Sequence, residues 1–388
     1  MTEENMSKLE RLIQQYCPDG VEYVKIGEIA QVGTGSSNGN EAIEDGIYPF
    51  FVRSQIIKKK DTYEYDEEAI IIPGEGGIGD IFHYINGKYA LHQRVYRIHF
   101  ISPHINVKFA FYYMKSAFKK FIMAKAVSST VSSIRKPMIE GFSLPIPPLP
   151  VQEEIVRILD TFTELQAELQ AELQKRKQQY NYYLDNLLSF NRGGQTEVRW
   201  MKLKDIGKVC MCKRILKSQT SSSGDVPFFK IGTFGGNADA YISQALFNEY
   251  KAKYSYPQKG DVLISAAGTI GRTIVFDGTP SYFQDSNIVW LKHDESIVLN
   301  SYLRYCYALN PWVVSTGGTI ARLYNDNILE ATIPVPSLAN QQRIVSILDR
   351  FDTLTTDLTQ GLPAEIEKRR QQYEYYRDKL LTFKRKGA

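Results

Sequence analysis

The chain has 388 residues, 43% of them hydrophobic and 23% charged, with a formal net charge of +4, which is typical of a globular protein with two or three domains. No apolar run approaches the ~20 residues that a membrane-spanning helix needs, and the charged, amphipathic N-terminus is not expected to be a signal peptide. Cys17, Cys210, Cys212 and Cys306 show neither disulfide-framework nor zinc-site spacing, so we predict reduced thiols in a cytoplasmic protein. The mild positive charge permits a nucleic-acid partner without requiring one.

The first part of the chain predicts a short helix followed by a β-rich globule. The helix spans Ser7–Tyr16, and an apolar strand later runs into the glycine-rich turn of Ala69–Gly79. An alternating strand pattern follows over Phe82–Ile98, and a second short helix begins at Val107. The same order returns further along, where Asp261–Gly271 is another apolar strand with a glycine-rich turn.

A long helix is predicted from Pro148 to Phe190. Its roughly 40 residues would make a rod of about 60 Å at ~1.5 Å per residue, so we predict a spacer. Its apolar side chains recur mostly at steps of three, four or seven, the spacing of a coiled-coil seam: Ile155, Leu159, Phe162, Leu169, Leu173, Tyr180, Tyr183 and Leu187.

The end of the chain repeats this helix. Two stretches return in the same order, with 333–354 matching 144–165 and 368–383 matching 175–190. The second copy carries four extra residues around Gly361 and Pro363, where we predict a kink or a break. Because two matching seams in one chain most simply pack together, we predict an antiparallel coiled coil and an internal pseudo-two-fold repeat.

These elements predict an α+β fold built as globule, helix, globule, helix. The boundaries we predict are an N-terminal helix with the first β-rich domain over 1–147, a spacer helix over 148–190, a second β-rich domain over 191–336 and a second spacer helix over 337–388. Each globule has about the usual size of one domain.

The sequence contains fragments of catalytic and cofactor motifs but no complete set. Gly74–Gly79 satisfies G-x-G-x-x-G, but a dinucleotide site requires a following helix, whereas an alternating strand pattern with a hairpin signal at Asn86-Gly87 follows here. Asp239 with Glu249-Tyr250-Lys251 could form a nuclease triplet, although such triplets arise often by chance. The histidines lack zinc-ligand spacing. We predict no catalytic residues, no metal site and no cofactor.

The repeated motifs resemble those of type I restriction–modification specificity subunits. They are a proline-rich lead-in with Q-x-x-I-x-x-x-L and a later Q-Q-Y-x-Y-Y-x-D-x-L-L-x-F. The first falls at Gln152, Ile155 and Leu159 and again at Gln341, Ile344 and Leu348; the second spans 178–190 and 371–383. The resemblance covers nearly the whole chain and implies two target-recognition domains that read different halves of a bipartite DNA target.

Polar loops carrying lysine and arginine are the candidate DNA contacts, since these side chains position phosphates and read base edges. In the first domain we predict Ser36, Asn38, Asn40, Lys58, Lys59, Lys60, Arg94, Arg135 and Lys136. In the second we predict Lys213, Arg214, Lys217, Ser222, Asn237, Arg272, Asn287 and Arg322. The lysine run is expected to contact phosphates, and Arg94 and Asn287 are expected to read bases.

A tyrosine stripe on the helices is the candidate surface for protein partners. The resemblance implies that it binds two modification (methyltransferase) subunits, which restriction (motor-nuclease) subunits then join; its members are Tyr180, Tyr182, Tyr183, Tyr373, Tyr375 and Tyr376. The alternative is that these tyrosines only cover the coiled coil. For the whole protein, a non-catalytic DNA-specificity subunit is our first hypothesis, and a self-contained modification or nuclease enzyme is the second.

Overall fold

A computed structural model of the chain describes residues 7–125, 133–190, 198–312 and 322–387. The chain divides into two compact units. Unit 1 comprises Met1–Gln170 and Glu365–Ala388, and unit 2 comprises Ala171–Ala364. Both units mix helices with mainly antiparallel sheets, so the predicted α+β class is confirmed.

Unit 1 begins with a capped helix and continues into a sheet. The Ser7 side chain accepts a hydrogen bond from the Glu10 backbone N–H, and the Glu10 carboxylate accepts one from the Ser7 N–H, a capping box that starts the first helix. The elements are α1 (Lys8–Tyr16), β1 (Tyr23–Lys25), α2 (Ile26–Ile29), β2 (Ala30–Thr34), β3 (Tyr48–Phe51), β4 (Lys58–Lys60), β5 (Tyr65–Pro73), β6 (His83–Leu91), β7 (Val95–Phe100), α3 (Val107–Lys125), α4 (Lys136–Glu140), β8 (Ser143–Pro145) and the first part of α5 (Leu149–Leu188).

The main sheet of unit 1 has the described strand order β2-β7-β5-β6-β3-β4. Its central strand β5 is buried on both faces because successive side chains of a strand point to opposite sides. Ile70 and Ile72 enter the larger core together with Phe118 of α3, whereas Ala69 and Ile71 enter a smaller core on the other face. Strands β1 and β8 form a separate antiparallel pair.

Unit 2 repeats this arrangement of strands. Its elements are the rest of α5, β9 (Arg199–Lys202), β10 (Lys208–Met211), β11 (Val226–Phe229), β12 (Tyr241–Ile242), α6 (Gln244–Lys253), β13 (Val262–Ser265), β14 (Thr273–Val275), β15 (Tyr282–Phe283), β16 (Ile288–Lys292), α7 (Asn300–Ala308), α8 (Asn325–Leu329), β17 (Thr332–Val335) and α9 (Leu338–Thr356). The described orders β10-β16-β13-β14 and β12-β11-β15 follow the sheet of unit 1, with β14 and β15 in the place of the single strand β6. The pair β9–β17 corresponds to β1–β8.

The two copies of the long helix differ in continuity. The first copy, α5, is one helix of 40 residues. The second is divided into α9 and α10 (Leu362–Leu380), and the break falls where the four extra residues carry Gly361 and Pro363. A Cβ at Gly361 would lie 2.5 Å from the Thr353 carbonyl oxygen, so the chain passes too close to α9 there for a larger residue. The predicted break is confirmed.

Aromatic pairs show how these helices pack within each unit. In unit 1 the rings of Phe162 and Tyr376 stack with centroids 5.6 Å apart. In unit 2 the rings of Phe351 and Tyr183 stack at 5.2 Å. These are the same two positions of the repeat with the helices exchanged. Within each unit, one part of α5 therefore packs against a helix of the second copy.

The glutamine of each repeated motif fastens its helix to the neighbouring domain. Gln152 and Gln341 are both 0% exposed. The Gln152 amide donates to the carbonyl oxygens of Pro147 and His104 and accepts from the Asn106 N–H. Gln341 makes the matching three bonds in unit 2, to Pro336, Ile297 and Leu299. The motif therefore needs glutamine because it satisfies three buried backbone groups at once.

One predicted turn is wrong. Asn86-Gly87 was expected to form a hairpin, but both residues lie inside β6, paired with Glu68 and Glu67 of β5. The chain instead turns at 92–94, between β6 and β7, which lie on opposite sides of β5. The long register with β5 outweighs the local turn signal, and Gly87, with φ of +124°, accommodates the irregular backbone within the strand.

The four cysteines, Cys17, Cys210, Cys212 and Cys306, are free and buried. Among the described residues, no helix combines the length and the apolar character required to cross a membrane.

Candidate nucleic-acid interface

Three loop segments meet at one edge of the unit 1 sheet. The glycine-rich loop leaves β5 at Gly74, and Gly76 there has a φ of +73°, which favours glycine. The Gly74 N–H donates to the carbonyl oxygen of Arg94, in the turn between β6 and β7, at 2.9 Å. The Ile134 N–H donates to the Gly74 carbonyl oxygen at 2.7 Å. Backbone hydrogen bonds therefore hold the loop, the turn and the segment before α4 together.

Two arginines share one carboxylate on this surface. Glu75 of the glycine-rich loop lies 2.8 Å from Nη1 of Arg53 and 3.1 Å from Nη1 of Arg94. The arginine side chains remain 45% and 58% exposed. Hydrogen bonds from Arg94 and then Arg53 lower the pKa of Glu75, which keeps the carboxylate ionised. We call Arg53, Glu75 and Arg94 the arginine cluster; it carries two positive charges and one negative charge.

A buried histidine fixes the turn that carries Arg94. The Arg94 backbone N–H donates to Nδ1 of His92 at 3.0 Å, which requires an unprotonated Nδ1. Burial lowers the pKa of His92, and the charges of Arg53 and Arg94 lower that pKa further. The ring is therefore neutral at pH 7, and it supports the turn as a hydrogen-bond acceptor.

The predicted loop residues Ser36, Asn38 and Asn40 are exposed and lie beside the same turn. The Gln93 N–H donates to the Ser37 carbonyl oxygen at 3.0 Å, and the Gln93 side chain donates to Oδ1 of Asn38 at 3.0 Å. This loop thus extends the surface of the arginine cluster.

The lysine run forms the edge strand β4 and its members differ. Lys58 and Lys59 are exposed and make no ion pair with another described residue. Lys60 is half-buried, with Nζ 2.6 Å from the Glu41 carboxylate and 2.7 Å from the Ser37 hydroxyl. Lys60 is therefore paired with an acidic side chain that comes from a different loop.

Arg135 and Lys136 lie where α4 begins, one residue beyond the segment that bonds to Gly74. Both side chains are exposed. Lys136 is 3.5 Å from Glu140 on the same helix, a contact too long to hold the lysine firmly. The two cations are therefore available beside the glycine-rich loop.

Unit 2 repeats the same backbone contacts around its own glycine-rich loop. The Ala266 N–H donates to the Asn287 carbonyl oxygen at 2.8 Å, and the Leu323 N–H donates to the Ala266 carbonyl oxygen at 2.9 Å. Gly268 has a φ of +67°. Asn287, the last residue before β16, therefore occupies the place of Arg94, although the turn 284–287 is one residue longer than 92–94.

The arginine cluster has no charged counterpart in unit 2. Glu75 is replaced by Ala267, and Arg94 by Asn287. Position 53 corresponds to Ile231, since each lies two residues after the phenylalanine that ends the matching strand. A Cβ at Gly76 would meet the Arg53 carbonyl oxygen, and one at Gly268 would meet the Ile231 side chain, which supports this correspondence.

A polar groove of ≈ 500 Å³ lies beside the unit 2 turn. Three predicted residues, Arg214, Lys217 and Ser222, line it together with Gln284 and Asp285 of the turn. Lys230 and Asp239 also line this groove and pair with each other at 2.8 Å. The groove brings cations and hydrogen-bonding side chains to one surface.

The remaining predicted residues of unit 2 lie around the same loops. Arg272 follows the glycine-rich loop and donates to the Gly235 carbonyl oxygen at 3.2 Å, next to exposed Asn237. Arg322 donates to the Ser286 carbonyl oxygen of the turn at 2.9 Å. Lys213 is exposed over the Tyr254 ring.

Sequence reasoning missed the side chains that only folding brings to these loops. Arg53 and Glu75 in unit 1, and Lys230, Gln284 and Asp285 in unit 2, were not among the predicted contacts. Glu75 stands where the repeat has alanine, which is a signal that could have identified it. Arg53 is far from the turn in sequence and gives no such signal.

The six helix tyrosines divide into two groups. Tyr183, Tyr373 and Tyr376 contact the aromatic rings of the opposing helix, and Tyr180 packs partly buried on the unit 2 core. Tyr182 and Tyr375, which are matching positions of the repeat, are 65% and 64% exposed. These two are the members of the stripe that present most of their surface to solvent.

The possible nuclease triplet is not assembled in unit 2. Asp239 pairs with Lys230, while Glu249 pairs with Lys253 at 3.0 Å on α6. Among the described residues, no group of three histidine, cysteine, aspartate or glutamate side chains could hold a metal ion.

Both repeats of the chain match the model of a known protein family. The family model for the type I restriction modification DNA specificity domain matches residues 18–176 and again 196–368. The chain therefore belongs to the family of type I restriction–modification specificity subunits, as the repeated motifs suggested.

Two relatives show how far the similarity extends. The chain is 43% identical over 396 aligned positions to a candidate type I restriction enzyme specificity subunit of Haemophilus influenzae, covering 98% of this chain and 99% of that protein. It is 36% identical over 251 positions to a type I restriction enzyme specificity subunit of Escherichia coli, covering 61% of this chain and 60% of that protein.

Solved structures share the fold at low identity. The S subunit of a type I restriction–modification system from M. genitalium matches with a TM-score of 0.58 at 15% identity, covering 93% of this chain and 95% of that chain. A chain from a structural study of complex assembly and conformational transition in a type I system matches with a TM-score of 0.58 at 17% identity, covering 94% and 98%.

Proposed function

We propose that the chain is the non-catalytic DNA-reading subunit of a type I restriction–modification complex in the cytoplasm, and that it recognises a bipartite, asymmetric target. Each of its two domains, within 1–147 and 191–336, reads one half-site. The observation that carries this proposal is the pair of loop clusters built on matching backbone hydrogen bonds with different side chains. A shared frame with different chemistry suits two readers of two different sequences.

The proposed DNA contacts are the exposed cations and amides of those loops. Lys58, Lys59 and Lys136 would contact phosphates, which gives affinity without sequence preference. Arg94 and Asn287 would read base edges from equivalent turns. Lys60 is the least suited of the predicted set, because Glu41 already neutralises it.

Domain exchange tests this proposal directly. Residues 21–146 are replaced by those of a relative with a different target, and methylation is mapped in cells that also carry the modification and restriction subunits. One half of the methylated sequence should change while the other half stays the same. The reciprocal exchange of 198–335 is the matched control and should alter the opposite half. A folded chimera in which both halves of the methylated sequence change would contradict the proposal that each domain reads one half-site.

The helices would set the spacing of the half-sites. Duplicating residues 165–168 adds one helical turn to α5, so it should lengthen the unread gap and leave both half-sites unaltered. Deleting 360–363, at the break between α9 and α10, should affect stability or assembly before it affects the bases read. A changed half-site with an unchanged gap would contradict the role of the helices as a spacer.

The exposed tyrosines would each help to dock one modification subunit, before restriction subunits join. Their matching positions in the repeat support two equivalent contacts. Tyr182→Ser or Tyr375→Ser should reduce the number of bound methyltransferase subunits from two toward one, measured by native mass spectrometry. Tyr16→Ser, at a tyrosine that is 44% exposed but outside the stripe, is the control and should change nothing.

A further inference from the structure

We infer that Arg94, positioned by Glu75 with Arg53 on its other side, reads a guanine in the half-site contacted by unit 1. This inference rests on the proposed function and deepens it, because it assigns a base to one domain. Guanine presents two acceptors, O6 and N7, in the major groove, and the matching partner is a pair of N–H groups on one arginine.

The hydrogen bonds of Arg94 leave that pair free. Both carboxylate oxygens of Glu75 accept from Nη1 of Arg94, at 3.1 and 3.2 Å. Among the described residues, nothing accepts from its Nε or Nη2. Glu75 therefore orients the guanidinium by one corner and leaves its Nε–Nη2 edge exposed for two parallel hydrogen bonds.

The backbone beneath Arg94 is also held. Its N–H donates to His92, and its carbonyl oxygen accepts from the Gly74 N–H. An arginine fixed at both ends loses less conformational entropy on binding than a free surface arginine, so discrimination between bases improves.

The carboxylate itself is a poor candidate for base reading. Glu75 already accepts three hydrogen bonds from two guanidinium groups, so most of its acceptor positions are occupied. The cluster keeps a net positive charge, which suits the negative potential of the groove.

The two domains should differ in their dependence on guanine. Unit 2 has Ile231, Ala267 and Asn287 at the matching positions, with no guanidinium among them. An asparagine there suits adenine, whose N6 and N7 form a donor and acceptor pair for an amide. The guanine dependence of this cluster should therefore be confined to the half-site that the 21–146 exchange alters.

The test uses 7-deazaguanine, which lacks N7 but pairs normally. The target is first mapped by methylation, and each of its guanines is replaced in turn. Binding of the full chain, in complex with its modification subunits, is then measured on each duplex. At one guanine of the first half-site, the substitution should weaken wild-type binding by about 5-fold or more. Arg94→Ala should abolish this difference, because the partner of N7 is absent.

Two further variants distinguish base reading by Arg94 from the nonspecific attraction of DNA to a positive charge. Glu75→Gln should retain binding yet reduce the 7-deazaguanine effect, as expected for a positioning residue that no longer fixes the arginine. Lys58→Ala, the control cation, should lower affinity for all duplexes and leave the effect unchanged. Thermal unfolding confirms that each variant is folded.

The outcomes separate this inference from the proposed function. If wild type does not prefer its mapped target over a scrambled duplex, the proposed function itself fails. If wild type prefers the target but no guanine loses its effect in Arg94→Ala, only the guanine assignment is wrong. An equal loss on cognate and scrambled duplexes in Arg94→Ala would make Arg94 a phosphate contact and overturn the inference.

Discussion

The two loop clusters share a backbone frame and differ in charge. In both units, the glycine-rich loop bonds to the last residue of the neighbouring turn and to the segment that follows the α3 or α7 region. On this common frame, unit 1 carries two arginines and a glutamate, whereas unit 2 carries only apolar and amide side chains at the same positions. Hydrogen bonds between backbone groups can thus preserve a surface while its side chains change completely.

A second difference lies in the strand that faces the loops. Unit 1 uses the unbroken strand β6, whereas unit 2 divides it into β14 and β15 and adds a residue to the following turn. The intervening segment of unit 2 lines an apolar pocket of ≈ 260 Å³ with Phe229, Phe276 and Phe283. The copies have therefore diverged in this part of the sheet, while the glutamine contacts that the helices make are the same.

The largest effect is expected where the two units are most alike. Gln152→Leu or Gln341→Leu removes three hydrogen bonds and leaves buried backbone groups without partners, so each should lower the free energy of unfolding by about 3 kcal/mol. Differential scanning calorimetry measures this change. The exposed Gln174→Leu is the control, with an expected change within about 0.5 kcal/mol. Unequal losses of unfolding free energy for the two variants would show that the two glutamines match in geometry but not in their contribution to stability.

Asn287→Ala tests whether the Asn287 amide in unit 2 reads a base, as proposed for Arg94 in unit 1. Loss of a base contact should weaken cognate binding by about 1–3 kcal/mol and leave scrambled DNA unaffected. Competition binding with both duplexes provides the measurement. An equal loss on both duplexes in a folded variant would place Asn287 outside the reading surface and break the comparison.

Lys59→Ala should reveal a smaller, sequence-independent contribution. A lost phosphate contact should reduce the slope of log K against log salt by about 0.9 and weaken cognate and scrambled binding alike. Lys60→Ala is the matched variant from the same strand. Because Glu41 neutralises Lys60, its effect on the salt slope should be smaller, and a larger effect would contradict the ion pair as the reason.

The smallest of the expected effects is that of acidification on unit 1. Burial lowers the pKa values of His92 and His83 below the usual 6.5, so neutral rings stabilise the folded unit. This stability is fully present above pH ~6.5 and is lost as the pH falls through the lowered folded pKa values. Discrimination at the first half-site should therefore weaken in mild acid, as measured by binding across a pH series.

His92→Asn is the control for this pH effect. Asparagine retains an acceptor for the Arg94 N–H but does not titrate, so the first half-site should become less sensitive to acid. An unchanged pH profile would assign the effect to His83 or to the DNA rather than to the turn.

Several features followed from local patterns. The short helix that begins near Ser7, the seam of α5 and the break near Gly361 each depend on neighbouring residues or on a short period, and each was predicted correctly. The glycine turns and the correspondence of Arg94 with Asn287 followed from comparing the two repeats. Asn86-Gly87 misled because a local turn signal competes with strand pairing, which the sequence does not display.

The sequence alone determined the repeat, the α+β class, the two helices and the family, because these depend on periodicity and on motifs written twice. The tertiary structure decided which charges meet: Glu75 joins Arg53 to Arg94, and Glu41 removes Lys60 from the set of free cations. Such contacts connect residues from different strands and loops, and their distances depend on the register of the sheet. The chemistry of the two loop clusters is therefore decided only when that register is fixed.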